Sequence, residues 1–180
     1  MMNIDPSAML ALVHATKRSP LRNYCMPGLT SWLLTEPSEQ GCLRLLEATR
    51  DIDEWITPHS HRFDLRCTVL EAEVTNIIFT PHSLGDDWCA TKLVYKGTAG
   101  KYTQSPGGVL AYEVTPTTYG VGETYRLNAE VVHRITFRRG AIVLMEEGHK
   151  KYDHTTILEP FIDQARVPTF RVEPWMFKSE

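Results

Sequence analysis

Thr57-Pro58-His59-Ser60-His61-Arg62-Phe63-Asp64-Leu65-Arg66-Cys67-Thr68-Val69-Leu70 is the stretch from which both the fold and the chemistry of this chain can be read. From Phe63 to Leu70 it reads as a β-strand bounded by turn-forming residues. Just ahead of that strand stand two histidines two residues apart. In extended backbone, residues at that spacing point to the same face and can share one ligand. Two imidazoles side by side suit zinc, iron, nickel or copper. The pair gains weight only from its surroundings, because histidines in soluble proteins are most often surface or core residues.

Those surroundings are β-rich. Further strands are expected at Trp32–Thr35, Leu43–Thr49, Glu73–Thr80, Cys89–Tyr95, Val109–Thr115, Thr124–Leu127, Val131–Phe137, Ala141–Glu146 and Thr155–Leu158. Many short strands separated by Gly, Pro and Asp indicate a sandwich or barrel rather than a parallel α/β sheet. Ahead of them, Asp5-Pro6 reads as an N-cap followed by a proline at the first helical position. A short amphipathic helix over about 6–17 should follow, with Met9, Leu10, Leu12 and Val13 on one side. Gly97–Gly100 and Ser105–Gly108 bracket a loop able to cover a pocket mouth. The tail, about 160–180, carries Pro168 and Pro174 among aromatic residues and reads as extended.

Gly122-Glu123-Thr124-Tyr125-Arg126-Leu127-Asn128-Ala129-Glu130-Val131-Val132-His133 supplies a third histidine, its glycine and histidine standing eleven residues apart. This segment and the His59/His61 stretch resemble the two motifs of the cupin superfamily, G-x5-H-x-H-x3-4-E-x6-G and G-x5-P-x-G-x2-H-x3-N. The resemblance covers roughly residues 43 to 147. It implies one cupin-type antiparallel β-barrel, of the jelly-roll kind, spanning residues 1–180, with His59, His61 and His133 as metal ligands inside it. The sequence departs from the motifs at several places. Asn128 stands for the proline, Glu130 for the second glycine, Phe137 for the asparagine and Asp53 for the first glycine. The motif's glutamate falls on Leu65 or Arg66, neither of which can ligate, and Asp64 lies one position early. In a straight strand Asp64 faces away from His61, although a bulge could turn it inward. The plainer implication is a three-histidine site, similar to that of the cysteine dioxygenase-type cupins.

Three neutral imidazoles leave coordination positions open, as a catalytic metal requires. The resemblance then implies Fe(II), with Zn(II) or Ni(II) as alternatives, and a non-haem iron dioxygenase acting on a small polar organic molecule. The competing readings are a metal-free cupin of the epimerase or isomerase type, and a non-catalytic barrel that senses a ligand or binds a protein. Arg126, next to the second motif, is a candidate carboxylate clamp. Arg62 and Arg134 directly follow ligand histidines and should face away. Glu146, His149 and Tyr152 follow the next strand, and His149 with Tyr152 forms a candidate proton relay or outer support for the site. His82 and His154 have no partner at ligand spacing and are expected in turns.

A formal net charge of -3 offers no electrostatic footprint for nucleic acid or an anionic membrane, so a small-molecule substrate is favoured. The four cysteines include no C-x-x-C pair, which excludes a zinc ribbon and a thioredoxin-like motif. Met1–Asp5 lacks the basic and apolar regions of a secretory signal, and a cytoplasmic location is expected. The aromatic residues of the tail lead to the expectation of a homodimer.

Overall fold

The computed structural model describes residues 26–53, 57–96 and 102–161, with a few positions before residue 26. Its elements are β1 (Leu21–Arg22), β2 (Leu29–Leu33), β3 (Cys42–Ala48), β4 (Phe63–Glu71), β5 (Val74–Tyr95), β6 (Tyr102–Tyr119), β7 (Thr124–Leu127), β8 (Val132–Phe137), β9 (Ile142–Lys150) and β10 (His154–Pro160). All of their pairings are antiparallel. All of the named elements are strands. The helix expected over 6–17 falls almost wholly outside the described residues, as do Gly97–Gly100 and the tail beyond residue 161.

The strands form two sheets, one ordered β1-β2-β3-β9-β4-β7 and the other β10-β5-β6, with β8 paired to the free side of β5. Alternation along β9 shows how the first sheet is packed. Val143 and Met145 join Cys67, Val69, Tyr125 and Leu127 in the main core, which also takes Val74 and Phe137 from the second sheet. Ile142 and Leu144 point the other way, onto Trp32, Leu45 and Leu70. The main core therefore lies between the sheets, as the two-residue side-chain period of a strand requires.

The expected closed barrel is not what forms. The Asn128–Val131 turn, closed by the Val131 amide donating to the Asn128 carbonyl at 3.0 Å, passes the chain from β7 of one sheet to β8 of the other. β7 and β8 make no ladder with each other, so the sheets stay separate among the described residues. Gly122, at φ +84°, takes the left-handed turn conformation that favours glycine, just ahead of β7. Glu130 is not in that region, so a side chain is accommodated where the cupin pattern has glycine.

Two expected strands, Glu73–Thr80 and Cys89–Tyr95, are one strand. β6 runs opposite both, and residues 82–85 are looped out where Pro81 and Asp86 both register with Tyr112. Ser105–Gly108, read as part of a loop, lies within β6, its irregularity confined to a shift opposite Ala90 and Thr91.

Candidate metal centre

Backbone pairing brings the histidines together. Residues 57–61 run as a short extended segment wedged between β8 and β10, with His59 bridged to both His133 and Ile157. The His59 amide donates to the His133 carbonyl at 2.8 Å, and the His133 amide donates back to His59 at 3.0 Å. Such a reciprocal antiparallel pair projects both side chains to one side of the sheet. His61, two residues on, keeps the same face, and its amide is anchored on the Ala129 carbonyl at 2.9 Å. The ring centroids lie 4.8, 5.4 and 5.1 Å apart for the pairs 59/61, 59/133 and 61/133. One ligand nitrogen from each ring falls within 4.8 Å of the others.

The outer hydrogen bonds set the tautomers. His59 Nδ1 donates to the Thr57 carbonyl at 2.8 Å, and His133 Nδ1 donates to the Asn76 side-chain oxygen at 2.6 Å. A carbonyl oxygen only accepts, so both Nδ1 atoms carry the proton and both Nε2 lone pairs face inward. His61 Nε2 stands 2.9 Å from His133 Nε2 and donates to it. Burial pushes all three imidazoles below the usual histidine range, furthest for His61 and His133, where repulsion from neighbouring imidazoles adds to it, while at His59 the hydrogen bond to the Thr57 carbonyl opposes it. The triad is therefore neutral, the state that ligates metal.

Two of the three donors stand at ligand spacing for a divalent ion. Two nitrogens each about 2.1 Å from one ion and at right angles are separated by about 3.0 Å, and His61 Nε2 and His133 Nε2 are 2.9 Å apart. For both to ligate, the proton on His61 must leave Nε2. Its Nδ1, with no hydrogen-bond partner among the described residues, can take that proton.

Asp64 stands outside the group. The pairing of β4 with β9 does slip between Phe63 and Leu65, yet the carboxylate accepts from the Ala129 amide at 3.0 Å and pairs with Lys151 at 2.5 Å. The Lys151 ammonium beside it holds its carboxyl below the usual range. Leu65 is buried in the core and Arg66 pairs with Glu146 at 3.1 Å on the outer face.

Beside the triad opens a cleft of about 530 Å³, whose lining includes His61, the apolar residues Ile78, Phe79 and Val132, and Lys92 and Tyr112. Tyr152 lines this cleft too. Its phenol is pushed up by desolvation and then by the Glu130 carboxylate, to which it hydrogen-bonds. His149 is exposed near the end of β9, not in the cleft. Arg126 is also misplaced by the expectation. Tyr125 and Leu127 of β7 face the core, so Arg126 points to solvent, across from Arg66. Arg62 lies over the Tyr95 ring at 4.1 Å. His82 sits exposed in the looped-out part of β5, whereas His154 opens β10 and lines the cleft.

Asn76 was not singled out by the sequence. It is 2% exposed near the start of β5, and its one visible signal is an amide residue inside an apolar β-run.

No protein-family model matches the chain, and no curated protein matches it. Among solved structures, it is similar over 64% of its length to hydroquinone 1,2-dioxygenase PnpCD in complex with Cd2+ and 4-hydroxybenzonitrile, at 16% identity and a TM-score of 0.34, covering 66% of that chain. Hydroxypropylphosphonic acid epoxidase from S. wedmorenis matches over 74% of this chain and 56% of its own, at 13% identity and a TM-score of 0.39. Drosophila melanogaster CENP-C bound to CAL1 matches over 86% and 94%, at 8% identity and a TM-score of 0.34. The chain thus spans just under two thirds of the first of these and somewhat over half of the second. Likenesses this slight carry neither family nor activity across. What can be said of function rests on the histidines.

Proposed function

We propose that this protein is a metal-dependent enzyme of the cupin type, in which His59, His61 and His133 hold a divalent ion and the adjoining cleft takes a small polar organic molecule. The observation that supports it is the convergence of three neutral imidazoles, two of them locked by Thr57 and Asn76 with Nε2 turned inward. Adventitious surface histidines do not come with their tautomers fixed by carbonyl acceptors, one of them on the buried Asn76.

The specific chemistry we favour is that of a non-haem iron dioxygenase. Three protein nitrogens leave open positions, and bound Fe(II) supplies redox chemistry with oxygen that no side chain here can perform. The chain's own contributions are separate. The His59–His133 backbone pair orients the ligands, Ile78, Phe79 and Val132 supply apolar lining to the cleft, and Tyr152 keeps its phenolic proton beside Glu130. Tyr152 is thus the residue we favour as a proton donor, from its hydroxyl oxygen.

Elemental analysis after expression in medium supplied with iron, zinc and nickel tests the reading. Close to one divalent ion per chain is expected. Failure to take up iron, zinc or nickel even after reconstitution sinks it. Oxygen uptake by iron-loaded protein against a panel of thiols, diketones and hydroxy acids then tests the dioxygenase chemistry.

A further inference from the structure

We infer that β6 joins two copies of this chain, their β6 strands pairing antiparallel about a two-fold axis at Ala111 so that the β10-β5-β6 sheets of both copies become one. This goes beyond the metal-centre reading and does not depend on it.

The backbone supplies the first argument. β6 runs for 18 residues, pairs with β5 on one side and has no strand on its other side among the described residues. An edge of that length is a template for another strand, and edges that stay free are kept short or guarded by lysines, prolines and bulges. Between Pro106 and Pro116 this edge carries a single charged residue, Glu113, and no lysine. Pro116 registers with Ile77 well inside the β5 ladder. A proline is tolerated there with its nitrogen turned to the free side, where no ladder bond is lost. By alternation the amides of Leu110, Tyr112 and Val114 turn to that side too. The two prolines bracket a stretch whose midpoint is Ala111. With the axis at that residue, Leu110 of each copy lies opposite Tyr112 of the other and bonds with it reciprocally, Val114 lies opposite Gly108, and the prolines meet each other at the ends. Moving the axis by one residue brings Pro106 opposite Val114 or Pro116 opposite Gly108, inside the ladder, where the missing N–H leaves a carbonyl unserved.

The side chains agree. Val109, Leu110 and Val114 are 46%, 47% and 37% exposed. Leu110 registers with Trp88 and Val114 with Phe79, and the Trp88 and Phe79 rings meet edge to face at 5.0 Å in the cluster that also holds the buried Tyr112. Leu110 and Val114 thus carry an apolar cluster out to the edge of the sheet. Pairing sets Leu110 against Tyr112 of the other copy, with cross-strand neighbours about 5 Å apart, and the two clusters become continuous. Charge favours a copy over another partner. Glu113 comes opposite Val109, and four residues of strand, about 14 Å, keep it from its own counterpart. A strip otherwise without charge has nothing with which to select a basic or acidic protein.

Sedimentation velocity of the whole chain from about 1 to 100 μM reads the association. The contact is short beside the roughly 20–30 residues a side of a standard interface, so a reversible dimer with a dissociation constant on the order of micromolar is expected. Leu110→Lys should raise that constant about tenfold or more with the circular dichroism unchanged, whereas Val121→Lys, at an exposed valine in the turn ahead of β7, should leave it alone. Register is read by cysteine crosslinking, which needs no destabilised variant. The axis brings Ala111 to about 4.5 Å, Cα to Cα, from its own copy, within disulfide reach. Ala111→Cys should therefore form a covalent dimer on oxidation, above the background of the wild-type cysteines, and Val109→Cys should not. A monomer throughout the concentration range, a dimer as tight in Leu110→Lys as in the wild type, no covalent dimer from Ala111→Cys, or equal crosslinking of Val109→Cys each overturns the inference.

Discussion

The Nδ1 proton of His133 points into a protein interior where Asn76 is the acceptor that meets it. Replacing Asn76 with Leu leaves the shape similar but strands that donor, so the imidazole loses both its orientation and its preference for an inward lone pair. Zinc affinity measured by competition with a chelator should fall roughly 10- to 100-fold while circular dichroism stays that of a folded β-protein. Unchanged affinity would mean that packing alone holds the ring. His59→Ala, His61→Ala and His133→Ala should each empty the site, whereas Asp64→Ala, which removes only the contacts to Lys151 and the Ala129 amide, should retain near-stoichiometric metal. Metal content of the four variants reads this directly. The pH dependence has a definite sign. All three histidines ionise below the ordinary histidine value of about 6.5 in the folded protein, so between the folded and unfolded values the unfolded chain binds more protons. Their favourable contribution is complete above about pH 6.5 and is lost as pH falls towards the folded values. The melting temperature of chelator-treated protein should decline below pH 6.5, and less so in His61→Gln. At this scale the shared face of His59 and His61 was legible from their two-residue spacing, whereas His133 came only from the resemblance to the second cupin motif, because no local pattern says which strand will lie beside another. Asn76 was not legible, because a lone asparagine in a strand does not announce what lies across from it. Arg126 misled for the opposite reason: nearness in sequence to His133 says nothing against the parity that Tyr125 and Leu127 impose on β7.

Elements hold these residues in register, and glycine is required where two backbones approach too closely for a side chain. Gly41 enters β3 at φ +109°, and a β-carbon there would run into the Glu147 carbonyl of β9. That is the strand pair in which Glu147 accepts from Arg44 at 2.7 Å and from the Cys42 thiol at 3.1 Å. Gly140, at φ +82°, has open space where its β-carbon would be. Gly41→Ala should therefore lower the urea midpoint well beyond Gly140→Ala, which meets only the backbone penalty of roughly 1 kcal/mol. Equal midpoints would show that β3 and β9 part easily at that end. The expected strand Thr124–Leu127 coincides with β7, and Phe63–Leu70 differs from β4 by one residue, because both are bounded by turn residues that also end the hydrogen bonding. The split of β5 into two expected strands failed for a physical reason. Pro81-His82-Ser83-Leu84-Gly85 has turn composition and does leave the ladder, but β6 continues past it, and Gly85 lies against the Tyr112 backbone where a side chain would not fit. Local composition reports that the chain deviates; only the partner strand says whether it turns back.

Across the whole molecule, the segment from Thr57 to Phe63 is a crossing between sheets. It begins hydrogen-bonded to β8 and β10, beside β5, and continues into β4 of the other sheet. Antiparallel β architecture was legible from the count and length of the apolar runs. Closure into a barrel was not, because it depends on whether β7 and β8 pair, and the Asn128–Val131 turn instead sends them to different sheets. A metal held by His59, His61 and His133 would tie that crossing segment to β8 by bonds that exist only in the folded chain. Binding to the native state alone stabilises it by RT ln(1 + [L]/Kd), about 2.7 kcal/mol at a hundredfold excess over Kd. For a domain of this size each kcal/mol raises the melting temperature by about 2–4 °C, so saturating zinc should raise it by roughly 5–11 °C. The shift should grow with the logarithm of zinc concentration, vanish on adding a chelator, and be absent from His61→Ala. Asp64→Ala should start from a lower melting temperature yet show the full zinc-dependent rise, because its carboxylate braces Lys151 and Ala129 without touching the ion. A rise of the same size in His61→Ala would place the stabilising zinc elsewhere on the protein.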